Sequence, residues 1–137
     1  MIKGIIVVDL NVFVRALLTK SADRAIYEAI KESKIIPAFC SDMLENLLKV
    51  LMRPRLKLNL SDIKELLEII RLKAIIVKPE IKITFCRDAS DNIILETAVA
   101  CNARMIISND DDLLVLNPFR GISIINSRQF LRLFNKL

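Results

Sequence analysis

Five aspartates fall where a divalent cation could be held: Asp9 at the end of a short apolar run, Asp88 and Asp91 ahead of an apolar helical pattern, and Asp110 and Asp112 just after a second β-branched run. Glu45, one turn into another helical pattern, can join them. Asn11 and Ser108 lie beside this set and can orient carboxylates or waters. Carboxylates gathered in a partly desolvated cleft repel one another by several kcal/mol unless a cation or a task compensates, on the order of what Coulomb's law gives at intermediate dielectric. Mg²⁺ and Mn²⁺ take oxygen ligands and keep several waters, so such a ring suits them. Taken singly, each Asp at a helix start also has a purely structural use, as a cap that favours the helix dipole.

The rest of the composition narrows the chemistry. The 137 residues contain no histidine, which removes Ser-His-Asp triads, Cys-His pairs, HExxH zinc sites and a histidine base. Three dispersed cysteines form no CxxC pair and read as reduced, mostly buried thiols. Two glycines are too few for the usual phosphate loops, and neither GxGxxG nor the P-loop pattern is present. The net charge is +5, yet setting aside Asp9, Glu45, Asp88, Asp91, Asp110 and Asp112 leaves 21 basic against 10 acidic residues, a body of +11 around an acidic focus. That arrangement suits a protein that attracts a polyanion. The acid-free stretch with Lys49, Arg53, Arg55 and Lys57 is the expected nucleic-acid surface, together with the basic residues of the C-terminal helix; after Asp112 the chain has no acid, and Arg120, Arg128, Arg132 and Lys136 add four positive charges. Aromatics are few (six Phe, one Tyr, no Trp), so little base stacking is expected.

These side chains need a scaffold. Apolar, β-branched runs at Ile2–Val8, Ile35–Phe39, Ala74–Val77, Met105–Ser108 and Ile122–Ile125 read as buried strands. Between them, helical spacing runs over 11–18, 22–33, 41–53, 61–73 and 91–101, with a short turn from Asp110 and a last helix to Phe134; Ser41, Ser61 and Ser127 are the expected N-caps of three of these. Alternation of this kind predicts an α/β fold, with a parallel sheet between two helical layers, as a single domain over 1–137. In such sheets the cleft lies beyond the carboxyl ends of the strands, where Asp9 and Asp110 fall. There is no apolar run long enough to span a membrane, and the run Gly4 to Val8, interrupted by Asp9, is too short and too acidic for a signal peptide. A cytoplasmic, unprocessed chain is therefore expected.

The motifs, taken in order, resemble those of PIN (PilT N-terminus) domains. Asp9-Leu10-Asn11-Val12-Phe13-Val14 is similar to the family's DTNVLV opening. Ser41-Asp42-Met43-Leu44-Glu45 with Val50-Leu51-Met52-Arg53-Pro54 resembles its second segment, Cys86 to Ala98 its "crDpdDnkiLelA", Ile106 to Leu114 its "ivTgDkDLL", and Ile122 to Phe130 its ending. The resemblance implies a three-layer α/β/α sandwich, commonly dimeric, and Mg²⁺- or Mn²⁺-dependent cleavage of RNA. It places the family's metal-binding, catalytic acids on Asp9, Glu45, Asp91 and Asp110, adds Asp88 and Asp112 as further ligands, and points to the VapC-like toxin branch, whose members pair with a small antitoxin. Leu10 stands where the family has Thr, and Ser108-Asn109 where it has Thr-Gly; neither change removes a carboxylate. The alternative is a PIN-like module that binds RNA or protein without cutting. A phosphoryl-transfer domain is a third reading, but Asn11 replaces the second Asp of a DxD phosphatase opening, and Pro79-Glu80 stand where a receiver domain needs its phosphoacceptor Asp.

Overall fold

The computed structural model describes residues 4–135. Five parallel strands form the sheet: β1 (Ile5–Val8), β2 (Ile36–Phe39), β3 (Ile75–Ile76), β4 (Met105–Ile107) and β5 (Ser123–Ile125), in the order β3-β2-β1-β4-β5. Residues 2 and 3 of the first expected strand lie outside the described residues. Register pairs Val8 of β1 with Ile107 of β4, and Val77, just past β3, continues the ladder through its N–H to the Phe39 carbonyl at 2.8 Å.

Burial follows position in the sheet. Ile6, Val7 and Val8 are at most 1% exposed, and all of β4 is buried, because helices cover both faces of the central strands. The edge strands β3 and β5 are only partly covered. That explains why continuous Ile/Val runs, rather than alternating ones, mark β1 and β4. The helices are α1 (Leu10–Leu18), α2 (Ala22–Lys31), α3 (Ser41–Leu51), α4 (Leu60–Lys73), α5 (Ala89–Ala100), α6 (Asp111–Leu114) and α7 (Ser127–Asn135). α5 lies against β1 and β2 with α3 beside it, while α2 packs on α1, α4 and α7. Phe13 of α1 meets Phe39 of β2 with ring centroids 5.6 Å apart, tying the first helix to the sheet.

The expected caps shift by one or two residues. Ser41 is the first residue of α3, behind Cys40, which makes no side-chain cap bond. α4 is capped by Asn59, whose side chain accepts from the Ser61 N–H at 2.8 Å. At α7, Asn126 and Gln129 exchange side-chain bonds with each other's backbone N–H, both at 2.8 Å, a reciprocal box that frees Ser127 for another role.

The strand order reverses between β1 and β4, since chain growth runs outward from β1 to β2 and β3 on one side and then returns to β4 and β5 on the other. A crevice opens at such a switch point, beyond the carboxyl ends of the two strands. Asp9 follows β1 there, and Ser108 to Asp110 follow β4.

Candidate metal centre

Asp9 ends β1 and caps α1, and it is 6% exposed. Its Oδ2 accepts from the Ser108 hydroxyl at 2.7 Å, across from β4. The same hydroxyl accepts from the Asp110 N–H at 3.0 Å, so Ser108, wholly buried, couples the two strand ends. Burial pushes the Asp9 carboxyl above its ordinary pKa; the bonds from Ser108 and Asn11 oppose that, and the nearby Asp110 charge adds to it.

Asp91 enters from α5, one turn behind its cap Asp88, and is 5% exposed. Its Oδ2 has no hydrogen-bond partner. Burial first, then the charges of Asp110, Asp9, Asp88 and Asp112, push its pKa up to about 6. One carboxylate oxygen each from Asp91, Asp110 and Asp112 lies within 4.8 Å of the others; the first residue is buried, the second half-buried and the third exposed. Asp88 accepts from the Ser90 hydroxyl at 2.7 Å and the Ser90 N–H at 2.9 Å, and these bonds lower its pKa. Asp112 is paired at the surface with Arg87 at 3.1 Å.

Two cavities flank these acids. The smaller, about 180 Å³, is lined by Asp9, Asp88, Asp91 and Asp110 with Asn11, Asn46 and Lys49 among its walls. The larger, about 780 Å³, shares Asp9, Asn11 and Asp110 and extends toward α2 and α7. A third, about 980 Å³, lies under residues 76–84 and contains none of the expected site residues.

Of the residues singled out in the sequence, Asp9, Asp88, Asp91, Asp110 and Asp112 come together. Glu45 does not join them. It is exposed and lines neither flanking cavity, whereas Asn46 is half-buried and faces the acids. The cause is helical phase: Met43, Leu47 and Leu51 bury one face of α3, Asn46 and Val50 border it on the acidic side, and Glu45 points about 100° away from Asn46. Among the expected basic residues, Lys49 reaches the smaller cavity; Arg53, Arg55 and Lys57 are exposed and line none of the three. Lys136 lies outside the described residues. One aromatic is open beside the cluster: Phe85, 70% exposed and edge-on to Phe119, two residues before Arg87.

A second polar centre carries no motif in the sequence. Asp23 of α2, 4% exposed, accepts from Arg15 Nε (3.2 Å), Ser21 Oγ (3.3 Å), Asn109 Nδ2 (2.9 Å) and Ser127 Oγ (2.5 Å). Its one visible signal is a charge on the stripe formed with Ile26, Tyr27 and Ile30, otherwise apolar.

In comparison with known proteins, a family model described as PIN domain matches residues 5–112, which covers every one of the five clustered aspartates. None of the curated proteins matches the chain.

Proposed function

Because the chain belongs to the PIN domain family, we propose that it is a divalent-cation-dependent endoribonuclease. The observation that carries this reading is Asp91, which has a buried oxygen with no partner and belongs to a group of carboxylates within 4.8 Å of one another. A buried unpaired charge is costly, and no protein donor relieves it. An oxygen-only donor set without His or thiolate fits Mg²⁺ or Mn²⁺. Asp91, Asp110 and Asp112 would hold the ion, with Asp9 and Asp88 facing the same space. When bound, such an ion lowers the pKa of water and neutralises charge developing on a phosphoryl group.

The chain's own groups account for the rest. Ser108 fixes the Asp9 carboxylate and the Asp110 backbone in one geometry, so these ligands need little reorganisation. Asn11, open to both cavities, can orient a water or a substrate hydroxyl. Lys49 supplies positive charge to a phosphodiester approaching over the smaller cavity. RNA as substrate is supported by the basic body around the acidic focus. The toxin role, with a small antitoxin partner, extends this reading. A homodimer does too, and exposed Leu48 and Met52 on and beside α3 support an apolar contact surface. The three free cysteines suit a cytoplasmic setting. Among the described residues no helix is long and apolar enough to cross a membrane.

The test is cleavage of a labelled single-stranded RNA with Mn²⁺. The wild type cuts, EDTA stops it, and Asp9→Asn lowers the rate by about 10²- to 10³-fold, the scale of losing a preorganised electrostatic group. Undiminished cutting by Asp9→Asn, or by the wild type in EDTA, contradicts the reading. Mn²⁺ binding without cleavage of any RNA would instead favour a binding module.

A further inference from the structure

We propose that the larger cavity beside the carboxylates is the subsite for a ribonucleotide adjoining the bond to be cut, with Arg15 and Arg128 holding its phosphate. The proposal deepens the nuclease reading and rests on it. Asp9, Asn11 and Asp110 form the wall common to both cavities, so a strand whose phosphodiester lies over the carboxylates continues into this space. At about 780 Å³ it falls within the roughly 300–1,000 Å³ of ordinary ligand sites, whereas the smaller cavity has room for little beyond an ion and its waters.

Of the four aspartates that line the larger cavity, Asp9, Asp23, Asp110 and Asp111, Asp23 is the one paired with an arginine among the described residues. Asp23 lies there with four donors, one of them a guanidinium, so its charge does little to oppose an incoming anion. Arg15 bonds Asp23 through Nε at 3.2 Å, and its side chain is 57% exposed, which leaves guanidinium N–H groups available to phosphate oxygens. Arg128 is exposed at the same cavity and makes no ion pair among the described residues. The N-terminal ends of α2 and α7 both meet this space and add positive potential. Asn11, Ser21 and Asn126 supply hydroxyl and amide groups for a ribose or a base edge.

Asn109 makes this cavity particular to the chain. The resemblance to the family puts glycine at that position, which has no side chain. Here the carboxamide bonds Asp23 and the Ser127 hydroxyl (3.2 Å) and accepts from the Ser127 N–H (3.1 Å), clamping α7 to the loop that presents Asp110.

The experiment is fluorescence anisotropy with a short single-stranded RNA in EDTA, across a salt series. Arg15→Gln and Arg128→Gln each weaken binding several-fold and flatten the slope of log K against log salt by about 0.7, the value for one lost phosphate contact on a single strand. Lys64→Gln, the same charge change on the exposed face of α4, leaves affinity and slope unchanged. Should Arg15→Gln fail to fold, Arg128→Gln carries the test alone. Wild-type slope and affinity in Arg128→Gln, or no RNA binding by the wild type, overturns the proposal. Binding in EDTA is read without cleavage, so a failed nuclease assay and a failed subsite give different patterns.

Discussion

Asp23 and Asp91 are equally buried, at 4% and 5% exposure, and their surroundings are opposite. Asp23 accepts four hydrogen bonds, including one from Arg15. Asp91 keeps one oxygen unpartnered, and four other carboxylates raise its pKa on top of burial. The first is a structural charge, since folding itself satisfies it. The second is a charge that the fold tolerates at a cost, which points to a ligand that removes the cost. Burial alone therefore says little about a carboxylate's role; the count of its donors says much more.

Substitution should separate the two with opposite signs. Asp23→Ala leaves the Ser127 hydroxyl and the Asn109 carboxamide short of their acceptor and releases Arg15, and we expect a loss of about 3 kcal/mol by urea denaturation. A loss below about 1 kcal/mol would mean that the network is not a structural centre.

Asp91→Asn should instead stabilise the metal-free protein at neutral pH. A carboxyl whose folded pKa is raised from 3.8 to about 6 contributes stability that is full below 3.8 and is lost as pH rises through 6. At about 1.36 kcal/mol per pK unit, ionising Asp91 costs the folded state at most about 3 kcal/mol above that window, less by whatever solvent screens. The gain from Asp91→Asn, measured by thermal melts in EDTA, should thus be largest above pH 7 and fade toward pH 4. A variant less stable than wild type at pH 8 would show that the Asp91 carboxylate is already satisfied.

This contrast also marks what the sequence could reveal. Asp9 and Asp110 were legible because Asp9 directly follows one β-branched run and Asp110 comes shortly after another, and in a parallel sheet those ends converge at the strand-order reversal. Asp88 and Asp91 were legible as the acids of a helix start. Glu45 was not placeable in the same way, since neighbouring positions on a helix differ by about 100° and only packing fixed which of Glu45 and Asn46 faced inward. Two of the serine caps moved for a related reason: Asn59 and Asn126 compete with Ser61 and Ser127 for the cap, and a shift of one or two residues leaves the apolar pattern intact. The Asp23 centre stayed hidden because its partners Asn109 and Ser127 lie 86 and 104 residues away, beyond any local pattern.

The most direct measurement is calorimetric titration with Mn²⁺ of the wild type, Asp91→Asn and Glu45→Gln. The wild type should bind; Asp91→Asn should bind at least about tenfold more weakly, as expected when a ligand is lost; Glu45→Gln should keep wild-type affinity, because that side chain points away from the acids. No binding by the wild type, or equal affinity in Asp91→Asn, would contradict the assignment of a metal centre at the ends of β1 and β4.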